Sequence, residues 1–92
     1  MIINWSLNAK EDYKNALHYL MENNLLAAAE IADKIEGSIK LLSQNPFMRR
    51  KSDLKNTREL VIPQTNYIVI YRVEAEDVEI LQIYHVKQHW KR

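Results

Sequence analysis

The sequence predicts an α+β domain in which a helical hairpin packs on one face of a small, mainly antiparallel sheet. Apolar residues recur with the helical period through residues 9–42, after a short opening segment typical of a strand. From about residue 58 the pattern changes to alternation and continuous apolar runs, which indicate strands. The links between these runs are only about four residues long, and they favour antiparallel hairpins because a parallel crossover needs about a dozen residues or more. The predicted element order is β-α-α-β-β-β.

The length of 92 residues indicates a single domain, residues 1–92, with one modest core. Hydrophobic residues make up 47% and charged residues 27%, a mixture that excludes a disordered chain. There is no cysteine, so disulfides and cysteine nucleophiles are excluded, and a reducing cytoplasm is the expected location. The opening residues lack a basic leader, and the apolar runs fall far short of the roughly 20 residues that span a bilayer, so we expect no secretion and no membrane role.

The first half of the chain predicts one strand and two helices. Residues 2–6 are β-branched and aromatic, which suits an opening strand. Asn8 is the expected N-cap of the first helix, with Glu11 completing a capping-box pattern, and Asn23-Asn24 ends that helix in a tight turn. The apolar face of the helix comprises Ala9, Tyr13, Ala16, Leu17 and Leu20.

The second helix should end at Asn45-Pro46, because the residue before a proline disfavours helical backbone. Gly37, the only glycine in the chain, lies inside this helix at a cost of about 1 kcal/mol relative to alanine, and close packing against another backbone would explain it. The two helices should form an antiparallel hairpin. The apolar stripe of the second helix comprises Ala28, Ala32, Ile35, Ile39 and Leu42, widened by Leu25, Ile31 and Leu41.

Three strands follow, at residues 60–62, 67–73 and 78–86. The middle strand is apolar on both alternating faces, since Ile68 and Ile70 alternate with a second apolar set. Two helices can cover only one face, so the surplus apolar face predicts a segment of a partner protein. A strongly curled sheet that packs its own second face is the alternative. The residues assigned to the partner interface are Tyr67, Val69 and Tyr71.

Positive charge is concentrated in the second half of the chain. Residues 1–47 carry four bases and six acids, a net charge of −2, whereas residues 48–92 carry nine bases and six acids, a net charge of +3. Residues 48–58 alone hold five bases against one acid, and residues 87–92 add three more bases. This distribution favours a polyanion or an acidic partner, and a solvated loop with a frayed tail is the alternative.

Several short motifs, taken in order, resemble the RelE/ParE superfamily of type II toxins. They are Trp5-Ser6-x-x-Ala9-x-x-Asp12-Tyr13, Arg58-Glu59-Leu60-Val61, Asn66-Tyr67-x-x-x-Tyr71-Arg72-Val73 and Val78-Glu79-Ile80-Leu81-x-x-x-His85-x-x-x-x-Trp90, together with the hairpin that ends near Asn45-Pro46. Each motif is weakly specific alone, but their order and spacing match nearly end to end. The resemblance implies the RelE/ParE toxin fold and a toxin that is neutralised by a co-encoded antitoxin, whose C-terminal segment folds onto it.

The superfamily has two activities, and this chain is more similar to the branch that poisons DNA gyrase. ParE-like members trap gyrase with its DNA cleaved, which implies no catalytic residue of their own. RelE-like members cut mRNA on the ribosome without a metal. Tyr67 stands where several ribonuclease members carry a basic residue, and the Arg-Glu-Leu-Val strand and the terminal His followed by Trp are similar to ParE-like chains.

Each branch implies its own site residues and partners. The gyrase reading places target binding on Arg49, Arg50, Lys51, Lys55, Arg58, Lys87, Trp90, Lys91 and Arg92. The ribonuclease reading, which stays open as the alternative with the ribosome and mRNA as partners, would use His85 for proton transfer with assistance from Tyr84. Its phosphate-binding candidates are Lys51, Lys55, Arg58 and Arg72. A third hypothesis is a toxin that has lost its activity and only binds its antitoxin, which growth arrest on expression would test.

No metal or cofactor is expected. His85 and His89 have a four-residue spacing that suits zinc only on a continuous helix, and the pattern before them is that of a strand with no carboxylate nearby. A histidine at the end of a strand is also commonly a structural hydrogen-bonding residue, which is the alternative to a catalytic role for His85.

Overall fold

A computed structural model describes residues 2–46 and 56–87 of the chain. The elements are β1 (Ile2–Trp5), α1 (Leu7–Asn23), α2 (Leu25–Leu41), β2 (Arg58–Val61), β3 (Tyr67–Glu74) and β4 (Asp77–His85). The strands form one mixed sheet in the order β1-β4-β3-β2, with β1 parallel to β4 and the other pairs antiparallel. Both helices pack on this sheet, so the predicted α+β class and the order β-α-α-β-β-β are confirmed.

The helix α1 begins directly after Ser6, which is its N-cap. The Ser6 Oγ accepts a hydrogen bond from the backbone N–H of Ala9 at 3.0 Å. The sheet holds Ser6 in extended backbone, since its N–H donates to the Ile80 carbonyl at 2.9 Å and its hydroxyl donates to the Leu81 carbonyl at 3.1 Å. The predicted cap at Asn8 is wrong because these contacts with β4 place the strand-to-helix junction two residues earlier.

One asparagine ends α1 and starts α2. The backbone N–H of Asn24 donates to the Leu20 carbonyl at 2.7 Å, and its side-chain Oδ1 accepts from the N–H of Ala27 at 3.1 Å. A single residue therefore caps both helices, and it is the whole link between them. The predicted break at Asn23-Asn24 is confirmed.

The helix α2 buries a narrower face than the sequence indicates. Ile35 and Ile39 are buried, whereas Leu25 and Leu41 are 65% and 53% exposed. These two leucines are the first and last residues of the helix, where periodicity alone does not show whether a neighbour is present. The helix also ends earlier than the predicted Asn45-Pro46, because the chain continues from Leu41 in hydrogen-bonded turns.

Two buried clusters lie on opposite faces of the sheet. The main core lies beneath the helices and comprises Ala9, Ile35, Ile39, Leu42, Leu60, Ile62, Tyr67, Val69, Tyr71, Val78, Ile80 and Ile83. Ile68, Ile70 and Tyr84 form the second cluster, as strand alternation requires. The predicted division of β3 into two apolar faces is therefore confirmed, and both faces are buried from Tyr67 to Tyr71.

Tyr13 connects α1 to both of its neighbours. Its ring lies 5.3 Å from the ring of Trp5 in β1, and its hydroxyl donates a hydrogen bond to the Glu36 carboxylate in α2 at 2.5 Å. The pKa of Tyr13 is raised far above its ordinary value, mainly by burial. The hydrogen bond to Glu36 and the negative charges of Glu36 and Asp33 raise it further. The fold therefore stabilises the neutral phenol.

Gly37 yields the first prediction, because the structure offers no packing reason for it. A Cβ atom at Gly37 would meet no atom of the described chain within 4 Å, so the close backbone approach expected from the sequence is wrong. We expect Gly37→Ala to raise the free energy of unfolding by about 0.5–1 kcal/mol, since alanine has the higher helix propensity. Urea denaturation followed by circular dichroism measures it. Ala29→Gly, at an exposed position of the same helix, is the matched control and should lose a similar amount, and a destabilised Gly37→Ala chain would contradict the explanation.

Tyr13 predicts a loss of stability at high pH. Because its pKa is raised in the folded chain, its contribution is complete below the unfolded-state value of about 10 and is lost as the pH rises through the folded-state value. We expect the free energy of unfolding of the unaltered chain to fall more steeply than that of Tyr13→Phe between about pH 9 and pH 11. Urea denaturation at a series of pH values compares the two slopes. Equal slopes would show that the contact with Glu36 does not favour the neutral phenol.

Candidate functional site

A polar cleft of about 400 Å³ lies between α1 and the end of β4. Helix α1 supplies one wall, and the start of β3 and the end of β4 supply the other. The lining residues are Asp12, Asn15, Ala16, Tyr19, Tyr67, Ile83, Tyr84, His85 and Lys87. The cleft thus brings together side chains that lie far apart in the sequence.

The position of the cleft follows from the different lengths of β1 and β4. Strand β1 pairs with β4 only from Asp77 to Ile80. Farther along this edge of β4, side chains take the place of a strand: the Ser6 hydroxyl donates to the Leu81 carbonyl, and the Asp12 Oδ2 accepts from the N–H of Ile83 at 3.0 Å. These contacts hold α1 against β4 and place the next turn of the helix beside the end of the strand.

His85 closes β4 and packs against the first residue of β3. Its ring meets the ring of Tyr67 edge-on, with 5.4 Å between the centroids. The His85 Nδ1 accepts a hydrogen bond from the backbone N–H of Lys87 at 3.1 Å. In the neutral ring the hydrogen must therefore be on Nε2.

Tyr67 is a neutral hydrogen-bond donor in this cleft. Burial raises the pKa of Tyr67, and interaction with the nearby Tyr19 phenol raises it further. The hydroxyl of Tyr67 therefore keeps its proton across the physiological range.

The three side chains of the ribonuclease reading do not come together. His85 lies on the helix-covered face with Tyr67, whereas Tyr84 is only 2% exposed and clusters with Ile68 on the opposite face. Arg72 also differs from the expectation, because it pairs across the strands with Glu79. Adjacent residues of a strand point to opposite faces, so the side chains of Tyr84 and His85 point away from each other, although both residues line the cleft.

The charge of Arg72 is already balanced by two carboxylates. Its Nη2 lies 2.5 Å from the Glu79 Oε1, and its Nε lies 3.7 Å from the Glu74 Oε2. A guanidinium held in this way is not available to bind a phosphate unless the pair breaks. The expectation that Arg72 binds phosphate therefore has no support in the fold.

The structure corrects the placement of the predicted partner interface. Val69 and Tyr71 are fully buried beneath the helices, and Tyr67 is 6% exposed. The Tyr71 hydroxyl donates to the Pro46 carbonyl at 2.6 Å. The sequence showed two apolar faces but not which one the helices cover, and the helices cover the face that the assignment took as surface. On the other face Ile68 and Ile70 are buried as well. Of the three residues, only Tyr67 lines the cleft.

Two of the predicted target-binding residues can be placed. Arg58 begins β2 and is partly buried, and Lys87 is exposed at the cleft. The remaining target-binding residues lie outside the described residues: Arg49, Arg50, Lys51, Lys55, Trp90, Lys91 and Arg92. His89, the second histidine of the rejected zinc pair, also lies outside them.

Sequence reasoning missed the α1 wall of the cleft. Asp12, Asn15 and Tyr19 recur at helical spacing on one face, and this polar face was the available signal. Within residues 2–46 and 56–87, no cluster of three potential metal ligands occurs. Neither α1 nor α2, the two helices of that described region, is long and apolar enough to cross a membrane.

The chain is similar to known toxins over nearly its whole length. A family model described as "ParE toxin of type II toxin-antitoxin system, parDE" matches residues 3–90. The putative toxin Y4kP of Sinorhizobium fredii (strain NBRC 101917 / NGR234) is 34% identical over 88 residues, which cover 96% of this chain and 91% of that protein. The toxin RelE1 of Caulobacter vibrioides is 32% identical over 82 residues, covering 87% of each protein. A chain of the solved chromosomal ParDE TA system from P. aeruginosa has the same fold, with a TM-score of 0.81 and 24% identity over 92% of this chain and 95% of that chain.

The contact between Asp12 and Ile83 yields a prediction about stability. Asp12→Ala leaves the N–H of Ile83 without its acceptor, and we expect a loss of about 1–3 kcal/mol in the free energy of unfolding. Asp12→Asn keeps an acceptor oxygen and should lose less. Asp33→Ala, which removes an exposed acid from α2, is the control and should change stability little. Urea denaturation measures all three, and an Asp12→Ala chain as stable as the control would show that the bond does not hold α1 in place.

Proposed function

Because this chain belongs to the ParE toxin family of type II toxin–antitoxin systems, we propose that it arrests growth by trapping DNA gyrase with its DNA cleaved. A co-encoded antitoxin holds it silent in the cytoplasm, and the toxin has no catalytic residue of its own. The observation that favours gyrase over RNA as the target is the separation of the three side chains that RNA cleavage would use.

RNA cleavage needs an acid, a base and cations within reach of one phosphodiester. In this chain Tyr84 is buried on one face of the sheet, His85 packs on the other, and the Arg72 charge is balanced by Glu79. The described residues therefore present no arrangement in which these groups act on one phosphate. A gyrase poison needs a binding surface only, so this separation is compatible with its activity.

The charge distribution supports a target or partner that is acidic. The second half of the chain has a net charge of +3. Two of its described bases lie at strand ends, where a large partner can reach them, since Arg58 begins β2 and Lys87 follows β4. We place gyrase binding on them and on the basic residues of 49–55 and 90–92.

Antitoxin binding is supported by the family and by the fold. The family description names a toxin–antitoxin system, and the similar chain from P. aeruginosa was solved as part of a ParDE TA system. The antitoxin should carry an acidic segment, because the second half of this chain is basic.

Ribosome-dependent mRNA cleavage is the second candidate. It is favoured by one relative that is named RelE1 and by His85, a proton-transfer residue that lies beside Lys87 in a polar cleft. This reading needs the ribosome or the mRNA to rearrange the groups that the fold keeps apart.

The proposal predicts that plasmid DNA incubated with gyrase and the purified protein accumulates double-strand breaks with gyrase attached. In cells, expression of the protein should induce the SOS response. His85→Ala should stay within a few-fold of the unaltered toxin, because His85 transfers no proton in this mechanism. The measurement is the amount of linear plasmid released by detergent and protease after incubation with gyrase. Circular dichroism confirms that the variant is folded.

The ribonuclease alternative predicts the opposite results. Programmed ribosomes incubated with the toxin would then show cut mRNA, gyrase would be unaffected, and His85→Ala would lower cleavage by about 10²- to 10⁴-fold, the usual contribution of general acid–base catalysis. Growth without arrest and no activity in either assay would identify a chain that has lost its toxicity.

A further inference from the structure

Several side chains in the lining of the cleft beside α1 can donate a hydrogen bond. The carboxylate of the lining, on Asp12, accepts the N–H of Ile83 at 3.0 Å. Each of the donors carries a polar hydrogen that an incoming acceptor could use. The donor side chains in the lining are Asn15, Tyr19, Tyr67 and Lys87.

We propose that this cleft binds one carboxylate side chain of the antitoxin, held by the hydroxyls of Tyr19 and Tyr67 and by the ammonium group of Lys87. The identity of the partner rests on the proposed function, whereas the chemistry of the ligand rests on the lining of the cleft. A volume of about 400 Å³ admits one side chain together with its backbone.

Tyr67 is well prepared for this role. Its ring is packed edge-on against His85 and is almost fully buried, so little side-chain entropy is lost when its hydroxyl binds a ligand. The raised pKa of Tyr67 keeps that hydroxyl a donor. Lys87 supplies the full positive charge that makes the contact charge-assisted.

Other charged ligands match the lining less well. The Asp12 carboxylate repels any anion in the cleft, and Lys87 supplies one positive charge against it. A phosphate group carries up to two negative charges, so this repulsion is stronger for it than for a carboxylate, which carries one. A lysine or arginine side chain would be repelled by Lys87 and would meet an Asp12 carboxylate already bonded to the backbone. A carboxylate, with one charge and two acceptor oxygens, is the group that the two hydroxyls and the ammonium complement.

The test uses the full-length chain, labelled with ¹⁵N by cell-free synthesis. It is titrated with two amino-acid derivatives whose backbone amino and carboxyl groups are blocked. N-acetyl-glutamate α-amide presents one side-chain carboxylate, and N-acetyl-glutamine α-amide has nearly the same shape without the charge. At constant ionic strength, the glutamate derivative should shift the backbone amide signals of Ile83, His85 and Lys87 saturably. The glutamine derivative should bind about tenfold more weakly, since a charged acceptor strengthens these hydrogen bonds.

Variants locate the binding in the cleft. Removing both hydroxyls, in Tyr19→Phe with Tyr67→Phe, should weaken the glutamate derivative at least tenfold. Tyr13→Phe removes a phenol that bonds Glu36 outside the cleft, and it should leave the binding unchanged. If the double variant does not fold, the comparison of the two derivatives on the unaltered chain still decides the outcome.

Three results would overturn the proposal. Equal shifts with both derivatives would show that the charge is not recognised, saturable shifts with methylammonium would identify a cation site, and shifts with inorganic phosphate alone would identify a phosphate site. None of these titrations involves gyrase. If the glutamate derivative does not bind but gyrase is trapped, the carboxylate site is wrong and the proposed function is supported. If the derivative binds but gyrase is not trapped, the carboxylate site is supported and the proposed function is wrong.

Discussion

The Asp12 carboxylate accepts a hydrogen bond from the backbone N–H of Ile83, and this contact ties α1 to the open edge of β4. Strand β4 has nine residues and β1 has four, so more than half of one edge of β4 extends past its neighbour. An open strand edge invites pairing with other chains. Ser6 and Asp12 satisfy part of that edge with side chains, which anchors the first turns of α1 and carries its following turns beside the end of β4. The cleft is the space that this anchoring leaves.

Strand alternation then decides which side chains can act together. Tyr84 and His85 are neighbours in the sequence, but one lies in the cluster with Ile68 and the other packs on Tyr67 beneath the helices. Arg72 is paired with Glu79, its register partner on β4. The side chains of Tyr84 and His85, which are adjacent in the sequence, therefore point to opposite faces of the sheet. The cleft in contrast brings together residues of α1, β3 and β4 that no motif connects.

The sequence predicts the elements well because periodicity is a local property. The two helices, the Asn23-Asn24 break and the three later strands follow from it, with differences of a few residues at the ends. The sequence does not predict features that depend on contacts between residues far apart in the chain. The N-cap is Ser6 and not Asn8 because β4 holds Ser6, and the role of Asp12 depends on a partner 71 residues away. Alternation likewise separates the faces of β3 without showing that the helices cover the face of Tyr67.

The toxin fold alone does not assign an activity, because the positions that build the core differ from those that would carry the chemistry. Beneath the helices, buried side chains such as Val69 and Ile80 are required for folding, whatever the target. The second buried cluster lies on the opposite face of the sheet. On this face the chain has buried Ile70 and Tyr84, and the Arg72 charge is balanced by an acid. Among the described residues of this face, the Arg72 guanidinium is thus held by an acid, whereas stabilising a phosphoryl transition state requires a positive charge directed at the phosphate.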